Sequence, residues 1–369
     1  MEPKVSKEFG MKIGKLIEGS NFSREEMKDM FSKVLLNRET EMHQGAFLAA
    51  LTVKGETVEE IAGSWDAIYE LDTVKASPNI SQPLVENCGT GMDDVDTFNI
   101  STAASMVAAT AGVVMAKHGS RAITSNCGTI DILEELGVGV ECSPEVIVKS
   151  IEQAGIGIFN GMDSQVHPTA LGRILSKISF GTTLNIAASL ANPVCPQYGV
   201  RGVYSKELLK PVAQVMHEIG YKKAIVVHGL AEDGVRGMDE ASTLGENYIV
   251  EIQEDGKIDE YSFIPEDLNI ERVISKEIAP DKDRRKEALK MLSVLKGKEG
   301  GAREDIVCLN AALILYLMDY SAQIKDAYLQ AKDIVASGEA IEKLKEWVRT
   351  QNVNSEQKLA KLNSLLEKI

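Results

Sequence analysis

Two glycines and two adjacent aspartates stand close together in the segment VENCGTGMDDVDTFNIST, residues 85–102. Gly89 and Gly91 follow an extended run and precede an alanine-rich segment typical of a helix. A glycine-rich turn between a strand and a helix presents backbone N–H groups and the positive end of the helix dipole, which together bind phosphate. Asp93 and Asp94 repel a bare phosphate unless a divalent cation such as Mg²⁺ bridges them. The segment therefore indicates either a magnesium-assisted phosphate cradle or a polar surface turn.

Two other polar groups stand where predicted strands end. Asp239 and Glu240 lie in the loop after one such strand. Adjacent acids are usually solvated, but together with Asp93 this pair could complete a site for a metal and pyrophosphate. The run Lys117 to Arg121, KHGSR, directly follows another buried-type strand. Because ligands of α/β proteins bind at the carboxyl ends of strands, all of these residues are candidates for one site.

The first 75 residues have the pattern of helices. Capping-box sequences at 23–26 and 57–60 each predict the start of a helix. Between them, apolar residues recur every three to five positions, which is the spacing of one buried helical stripe. Residues 1–75 are therefore predicted to form a small helical domain.

After this helical start, short β-branched runs alternate with segments rich in alanine and leucine. Runs 113–116, 156–159 and 224–227 are predicted to be buried strands. Buried strands between helices indicate a sheet covered on both faces. The predicted fold class is α/β, with a mixed, mostly parallel central sheet flanked by helices in residues 76–350. Residues 351–369 are predicted to form an additional C-terminal helix.

Composition argues against several classes of partner. The formal net charge is −15 and the pI is near 5.0, and a surface this acidic repels nucleic-acid backbones and anionic lipids. No apolar run is long enough to cross a bilayer, and the N-terminal segment lacks the apolar core of a signal peptide. The five cysteines are scattered, without a CxxC pair or zinc-ligand spacing, which is typical of a reduced, cytoplasmic protein.

Several blocks of the sequence resemble those of one enzyme family, in order and in spacing. They are CGTGMD at 88–93, TFNIST at 97–102, AKHGSR at 116–121, GTIDILEELG at 128–137 and GMDE at 237–240. These blocks look like the successive motifs of the anthranilate phosphoribosyltransferases. The likeness extends over roughly residues 10 to 350, which leaves only the terminal helix outside it.

The resemblance implies a magnesium-dependent homodimer that transfers the phosphoribosyl group of 5-phosphoribosyl 1-pyrophosphate to the amine of anthranilate, in tryptophan biosynthesis. It also implies that helices at about 163–190 join the small domain, and no covalent nucleophile is expected. The implied donor-binding residues are Gly89, Thr90, Gly91, Asp93, Asn99, Ser101, Thr102, Lys117 and Ser125. The implied metal ligands are Ser101, Asp239 and Glu240, and the implied acceptor-binding residues are His118, Ser120, His167 and Lys177.

The sequence departs from the family pattern in and beside the site. Met92 replaces the third glycine of the pyrophosphate loop, and so adds a side chain where backbone is expected to approach the ligand. Ser120 stands where the family has an asparagine that touches anthranilate, and Asn126 stands where a lysine is usual. A glycine and a proline of the acceptor pocket are also lost in the block at 187–193.

One further departure concerns the family arginine that holds the acceptor carboxylate. Counted forward from His167 it falls on Lys177, and counted back from Asn185 it falls on Leu175. A lysine pairs with a carboxylate only as a point charge, without the two-pronged geometry of arginine. An alternative hypothesis is therefore a phosphoribosyltransferase that uses a different aromatic or heterocyclic nitrogen acceptor.

Two more distant alternatives stay open. The block CGTID at 127–131 is similar to the GGTxD block of pyrimidine nucleoside phosphorylases, which need no metal-binding acidic pair. The family fold could also serve a non-catalytic, nucleic-acid-binding protein, but the net charge of −15 argues against that role.

Overall fold

The computed structural model describes residues 6–121, 127–178 and 180–369. Its chain begins with four helices, which are α1 Lys7–Ile17, α2 Arg24–Leu35, α3 Glu41–Lys54 and α4 Val58–Asp72. Both predicted capping boxes are formed, at Ser23 before α2 and at Thr57 before α4. In each, the hydroxyl accepts a backbone N–H of the first turn, and a glutamate accepts the N–H of the capping residue. The apolar faces of the four helices share one core.

One sheet contains the eight strands of the described residues. They are β1 Leu84–Gly89, β2 Val114–Gly119, β3 Ile156–Asn160, β4 Tyr198–Gly202, β5 Lys223–Leu230, β6 Gly237–Met238, β7 Asn247–Ile252 and β8 Ile258–Phe263. Their order is β3-β2-β1-β4-β5-β7-β8, and β6 pairs with β5. Strands β1 to β5 are parallel, whereas β6, β7 and β8 are added antiparallel. The predicted α/β class with a mixed, mostly parallel sheet is confirmed.

Helices cover both faces of this sheet. They are α5 Ile100–Thr110, α6 Thr129–Glu135, α7 Pro144–Ala154, α8 Leu171–Leu175, α9 Leu184–Ala187, α10 Leu209–Glu218, α11 Ser275–Ile278, α12 Arg284–Leu295, α13 Gly301–Leu317, α14 Ile324–Ser337, α15 Glu339–Thr350 and α16 Ser355–Leu366. One core joins a sheet face to α5 and α12 to α16, and the other joins the opposite face to α10, α8, α9 and the N-terminal helices. None of the helices in the described ranges could span a bilayer.

The strand order reverses at β1. The chain passes from β1 to β2 on one side, and it later returns to place β4 on the other side of β1. Such a reversal opens a crevice at the carboxyl ends of the two strands, where open α/β sheets bind ligands. Gly89 of β1 lies opposite Gly202 of β4 in the parallel register. The crevice therefore begins at these two glycines.

Asp239 approaches both of these glycines closely. A Cβ at Gly89 would overlap the Asp239 carboxylate, and a Cβ at Gly202 would overlap the Asp239 backbone carbonyl. Any larger residue would push the loop after β6 away from the ends of β1 and β4. The two glycines thus allow residues far apart in the sequence to meet at the crevice.

The C-terminal segment covers the outer edge of β3. The Gln351 side chain is buried and pairs with Ile158 of β3, accepting its N–H at 3.0 Å and donating to its carbonyl oxygen at 2.9 Å. The amide group thus replaces the next strand at an edge that would otherwise be unpaired. Beyond it, Leu362 and Leu365 of α16 are buried in the core that contains α12 and α15.

The change Gly202→Ala is expected to lower the free energy of unfolding by about 3 kcal/mol or more, because the new Cβ overlaps backbone rather than a flexible side chain. The control is Gly14→Ala on α1, where a Cβ meets nothing within 4 Å. That change is expected to raise stability by roughly 0.5–1 kcal/mol. Urea unfolding measures both variants, and a Gly202→Ala protein as stable as the parent would contradict the close approach of Asp239.

Candidate active site

A cavity of about 320 Å³ opens at the carboxyl ends of β1 and β4. One wall comes from the loop after β1, the start of α5 and the loop after β6, and the opposite wall comes from residues 171–189. The first wall is polar and includes Gly89, Thr90, Gly91, Asp93, Asn99, Ser101, Asp239 and Glu240. The opposite wall includes Leu171, Leu175, Ile178, Phe180, Thr182, Asn185 and Ala188. The structure thus brings together most of the predicted donor-binding residues.

Three carboxylates converge in the polar wall. Oxygen atoms of Asp93, Asp239 and Glu240 all lie within 4.8 Å of one another. Burial and the neighbouring Asp239 raise the pKa of Asp93 to about 8. Burial also raises the pKa of Asp239, and burial together with the other two acids raises the pKa of Glu240 well above its ordinary value. Three desolvated acids this close are therefore stable as anions only with a cation among them.

The cluster fits a divalent metal ion. Asp93 Oδ2 and Glu240 Oε2 are both buried and have no hydrogen-bond partner among the described residues. Buried oxygens without partners are rare, and carboxylate oxygens are the ligands that Mg²⁺ prefers. Ser101 lines the same cavity, as predicted for a metal ligand. Asp94 is exposed and does not line the cavity, whereas Asp93 does.

The glycine-rich loop after β1 turns its backbone towards this cluster. The Gly91 N–H donates to Asp239 Oδ2 at 2.6 Å, and the Thr90 N–H donates to the Gly202 carbonyl oxygen at 3.1 Å. Gly91 has φ 69° and Met92 has φ 73°, so the methionine adopts a left-handed conformation that favours glycine. Its side chain lies against Gly181, where a Cβ would overlap it. Met92 therefore spans from the polar wall to the opposite wall.

The first turn of α5 forms the next part of the polar wall. Asn99 precedes the helix but its side chain does not cap it, since the amide donates instead to the Cys127 carbonyl oxygen at 3.1 Å. The Ile100 N–H donates to the Phe98 carbonyl oxygen, so the later N–H groups of the first turn and the positive end of the dipole are those available to an anion. Ser101 lines the cavity, whereas Thr102 is buried behind it with a hydroxyl that has no partner.

Lys117 lies beneath the cavity and does not line it. Its ammonium group is 1% exposed and donates to the Asn87 carbonyl oxygen at 2.7 Å and to Ser105 Oγ at 3.2 Å. Burial lowers the pKa of Lys117 to about 8. The predicted donor contact would require this side chain to leave its present partners.

Two histidines at the acceptor side form a buried pair. The Nε2 atoms of His118 and His167 are 2.9 Å apart, and His167 Nδ1 is 2.7 Å from the Asp72 carbonyl oxygen. That carbonyl can only accept, so His167 carries its proton on Nδ1. His118 Nδ1 likewise lies 3.4 Å from a carbonyl oxygen, that of Ser189. Burial lowers the pKa of His118 to about 4 and that of His167 to about 3. His118 lines the cavity as a neutral ring, and His167 supports it from behind.

The other predicted acceptor residues have different positions. Ser120 lines the cavity, but Lys177 does not, and its exposed ammonium group pairs with Glu41 of α3. Of the two positions to which the family arginine could correspond, only Leu175 lines the cavity. The predicted acceptor role of Lys177 therefore has no support in this geometry. Ser125, the remaining donor-binding candidate, lies outside the described residues, as does Asn126.

Comparison with known proteins identifies the family. The glycosyl transferase family matches through its a/b domain over residues 81–341 and through its helical bundle domain over residues 12–71. The anthranilate phosphoribosyltransferase of Persephonella marina is 37% identical over 341 residues, covering 91% of this chain and 97% of its own length. That of Methanosarcina barkeri is 38% identical, covering 91% of this chain and 88% of its own length. The chain belongs to the anthranilate phosphoribosyltransferase family.

Solved structures of the anthranilate phosphoribosyltransferase family share this fold. The enzyme from Thermus thermophilus matches with a TM-score of 0.80 at 30% identity, covering 95% of this chain and 99% of its own. The enzyme from Saccharomyces cerevisiae matches with a TM-score of 0.80 over 94% of this chain, and at 23% identity this shows the fold alone. The recognition of the family from its sequence motifs is confirmed.

This family member also has cavity residues that the motifs did not indicate. Leu171, Leu175 and Ile178 line the cavity at the positions i, i+4 and i+7, the spacing of one helical face, although α8 ends at Leu175 and Ile178 lies just after the turn that follows. That spacing is a visible signal in the sequence. Phe180 lines the same wall and is 50% exposed.

A buried ion pair supports both walls of the site in this family member. Arg201 of β4 donates to Glu86 of β1 at 3.0 Å and to Ser189 Oγ at 3.1 Å. Glu86 also accepts from Asn192 and from Tyr221. Removing one partner of such a pair leaves a buried charge uncompensated, which typically costs about 3–5 kcal/mol. The network fixes the segment after α9 to the strands that carry the polar wall.

Mg²⁺ is expected to raise the thermal stability of this family member. At a free concentration of ten times its dissociation constant, it should raise the free energy of unfolding by about 1.4 kcal/mol. The change Glu240→Gln is expected to abolish that effect, because it removes one of the three charges that hold the ion. The control is Asp96→Asn, which removes an exposed carboxylate from the same cavity rim. Scanning calorimetry with MgCl₂ against NaCl of equal ionic strength measures the shift. An undiminished magnesium effect in Glu240→Gln would contradict the proposed cluster.

The lowered pKa of Lys117 predicts a pH-dependent stability. Between the folded pKa of about 8 and the ordinary value of 10.5, the unfolded chain binds a proton that the folded chain releases, so stability rises with pH in that window. The Lys117→Met variant is expected to lack this rise. The difference between its free energy of unfolding and that of the parent should therefore change by about 1–3 kcal/mol between the low and high ends of this pH range. Urea unfolding at both ends of the window measures it, and a constant difference would contradict the shift.

Proposed function

We propose that this protein transfers the phosphoribosyl group of 5-phosphoribosyl 1-pyrophosphate to the nitrogen of an aromatic amine, with Mg²⁺ as cofactor. The observation that carries the proposal is the convergence of Asp93, Asp239 and Glu240 beside the backbone N–H groups of Gly91 and the start of α5. A magnesium–pyrophosphate group needs both carboxylates and N–H donors. The polar wall supplies both within one cavity.

The proposed mechanism uses the polar wall to bind the leaving group. The loop after β1 and the first turn of α5 would donate hydrogen bonds to pyrophosphate oxygens, and Asp93, Asp239 and Glu240 would hold the ion. When bound, Mg²⁺ neutralises the charge that grows on the leaving oxygen. The bond between ribose C1 and pyrophosphate breaks, the amine nitrogen bonds to C1, and the nitrogen then loses a proton. Since no side chain has to attack C1, the walls act chiefly by holding the two substrates close together.

The names of relatives indicate the first acceptor to test. Curated relatives at 37% and 38% identity are named anthranilate phosphoribosyltransferase. The yeast enzyme, which shares the fold, was solved in complex with 5-phosphoribosyl 1-pyrophosphate and Mg, and also with 4-fluoroanthranilate. These findings support anthranilate as one candidate acceptor, in tryptophan biosynthesis. A different aromatic amine is the second candidate, and Leu175 in the cavity wall favours it.

We also propose that the protein is a homodimer and that it acts in the cytoplasm. Exposed apolar side chains lie on two N-terminal helices, with Met11 on α1 and Met42 and Val53 on α3. Such residues are available for contact with a second copy. All five cysteines are free, as expected in a reducing compartment.

Calorimetric titration with 5-phosphoribosyl 1-pyrophosphate tests the donor half of the proposal. Binding is expected with Mg²⁺ present and is expected to weaken strongly in its absence. Release of pyrophosphate with a panel of aromatic amines then tests transfer. The change Asp239→Asn is expected to lower kcat/KM by about 100-fold or more, as loss of an electrostatic contact in the transition state does. A nucleoside phosphorylase would instead consume phosphate and keep its activity in Asp239→Asn, and that result would overturn the proposal.

A further inference from the structure

The wall opposite the carboxylates forms an apolar chamber. We call it the acceptor chamber and define it by Met92, Leu171, Leu175, Ile178, Phe180 and Ala188. Two of these side chains remain substantially open, since Met92 is 41% exposed and Phe180 is 50% exposed. Exposed large apolar side chains around one cavity mark a ligand-binding surface. An aromatic ring placed here would bury apolar surface on both sides.

Positive charge is scarce around the acceptor chamber. Arg121 and His118 are the basic side chains among the described residues that line the cavity. Arg121 is already paired with three carboxylates, those of Asp131 at 3.2 Å, Glu134 at 2.8 Å and Glu141 at 3.1 Å. His118 is neutral near pH 7, because burial lowers its pKa to about 4. Neither side chain offers a free cation to a ligand.

Cations near the cavity are engaged elsewhere. The Arg173 guanidinium donates to Gln44 Oε1 at 2.8 Å and to the Val34 carbonyl oxygen at 2.9 Å, which directs it into the helical domain. Lys177 pairs with Glu41 on the surface. The sequence at 122–126 is AITSN and residue 179 is serine, so these two stretches contain no basic side chain.

Negative charge, in contrast, is concentrated in the same cavity. Asp93, Asp96, Asp239 and Glu240 line it, whereas Glu287, which also lines it, is paired with Arg303 at 2.6 Å. A bound pyrophosphate donor would add further negative charge beside the acceptor chamber. An anionic acceptor would therefore lose its hydration without gaining a partner, whereas a neutral ring would lose little.

We propose that the acceptor is a neutral aromatic or heterocyclic amine without a carboxylate, held in the acceptor chamber by apolar contact. This inference rests on the proposed function and specifies its acceptor class. Thr182 and Asn185 line the same cavity as neutral polar residues, and the Asn185 side chain links the Thr182 N–H to the Thr90 carbonyl oxygen. The absence of a free cation in the described wall is the deciding observation.

The first test compares two compounds that differ in one group. Anthranilate and 2-aminobenzamide share the ring and the ortho amine, but only anthranilate is charged. Calorimetry on the protein loaded with Mg²⁺ and pyrophosphate measures the binding of each without turnover. The amide is expected to bind at least about tenfold more tightly, and equal or tighter binding of anthranilate would overturn the inference.

The second test introduces a cation at the centre of the acceptor chamber. The change Leu175→Arg is expected to shift the ratio of the two affinities towards anthranilate by about tenfold or more, whereas the uncharged Leu175→Met control should leave the ratio unchanged. An unchanged ratio in Leu175→Arg would overturn the assignment of the chamber to the acceptor. If that variant does not fold, the relative affinities of the parent protein for anthranilate and 2-aminobenzamide still test the inference.

Titration with 5-phosphoribosyl 1-pyrophosphate and Mg²⁺ separates failure of this inference from failure of the proposed function. If the donor does not bind, both the function and the acceptor assignment fail. If the donor binds and anthranilate is preferred over the amide, the transferase function stands and only the inference of a neutral acceptor is overturned.

Discussion

The close approach of Asp239 to the ends of β1 and β4 is the constraint on which the site depends. Gly89 and Gly202 lie opposite each other at the point where the strand order reverses, and a side chain at either would displace the loop after β6. Because both positions are glycine, Asp239 and Glu240 reach Asp93 across nearly 150 residues of sequence. The topology provides the crevice and the missing side chains provide the room.

This arrangement sets the electrostatics of the site. The cluster of three acids repels a bare pyrophosphate, while the Gly91 N–H that would bind an oxygen of that group is bonded to Asp239. The buried cations beneath the site, Lys117 and Arg201, are engaged with strand and helix groups. They offset this charge only in part, because burial keeps the pKa of Asp239 raised despite the nearby Arg201. A metal ion and a diphosphate therefore stabilise each other here, since each removes the repulsion that the other meets.

The sequence predicted the polar wall well because its residues stand in short local patterns. Gly89 to Asp93 lie between a strand and a helix, and Asp239 with Glu240 follows another strand, so secondary structure alone placed them at one sheet edge. The sequence did not determine which residue of the opposite wall corresponds to the family arginine. Its segment, 171–189, is mostly loop between very short helices, and a shift of two residues decides whether Lys177 or Leu175 faces the cavity. Such a register depends on packing against the helical domain rather than on local sequence.

The two walls belong to different cores, and this separates chemistry from acceptor choice. Ile174 is buried in the core that contains the N-terminal helices, and the next residue, Leu175, lines the cavity. The carboxylates are instead held by strands and loops of the α/β sheet. The walls still touch, because the Asn185 amide donates to the Thr90 carbonyl oxygen at 3.3 Å and Met92 lies against Gly181. A substitution at Leu175 is therefore better placed than one at 181–185 to change which ring fits without disturbing the diphosphate loop. The donor wall thus keeps most of the family's residues, Met92 excepted, whereas the position of the family arginine falls either on Leu175, which lines the cavity, or on Lys177, which does not.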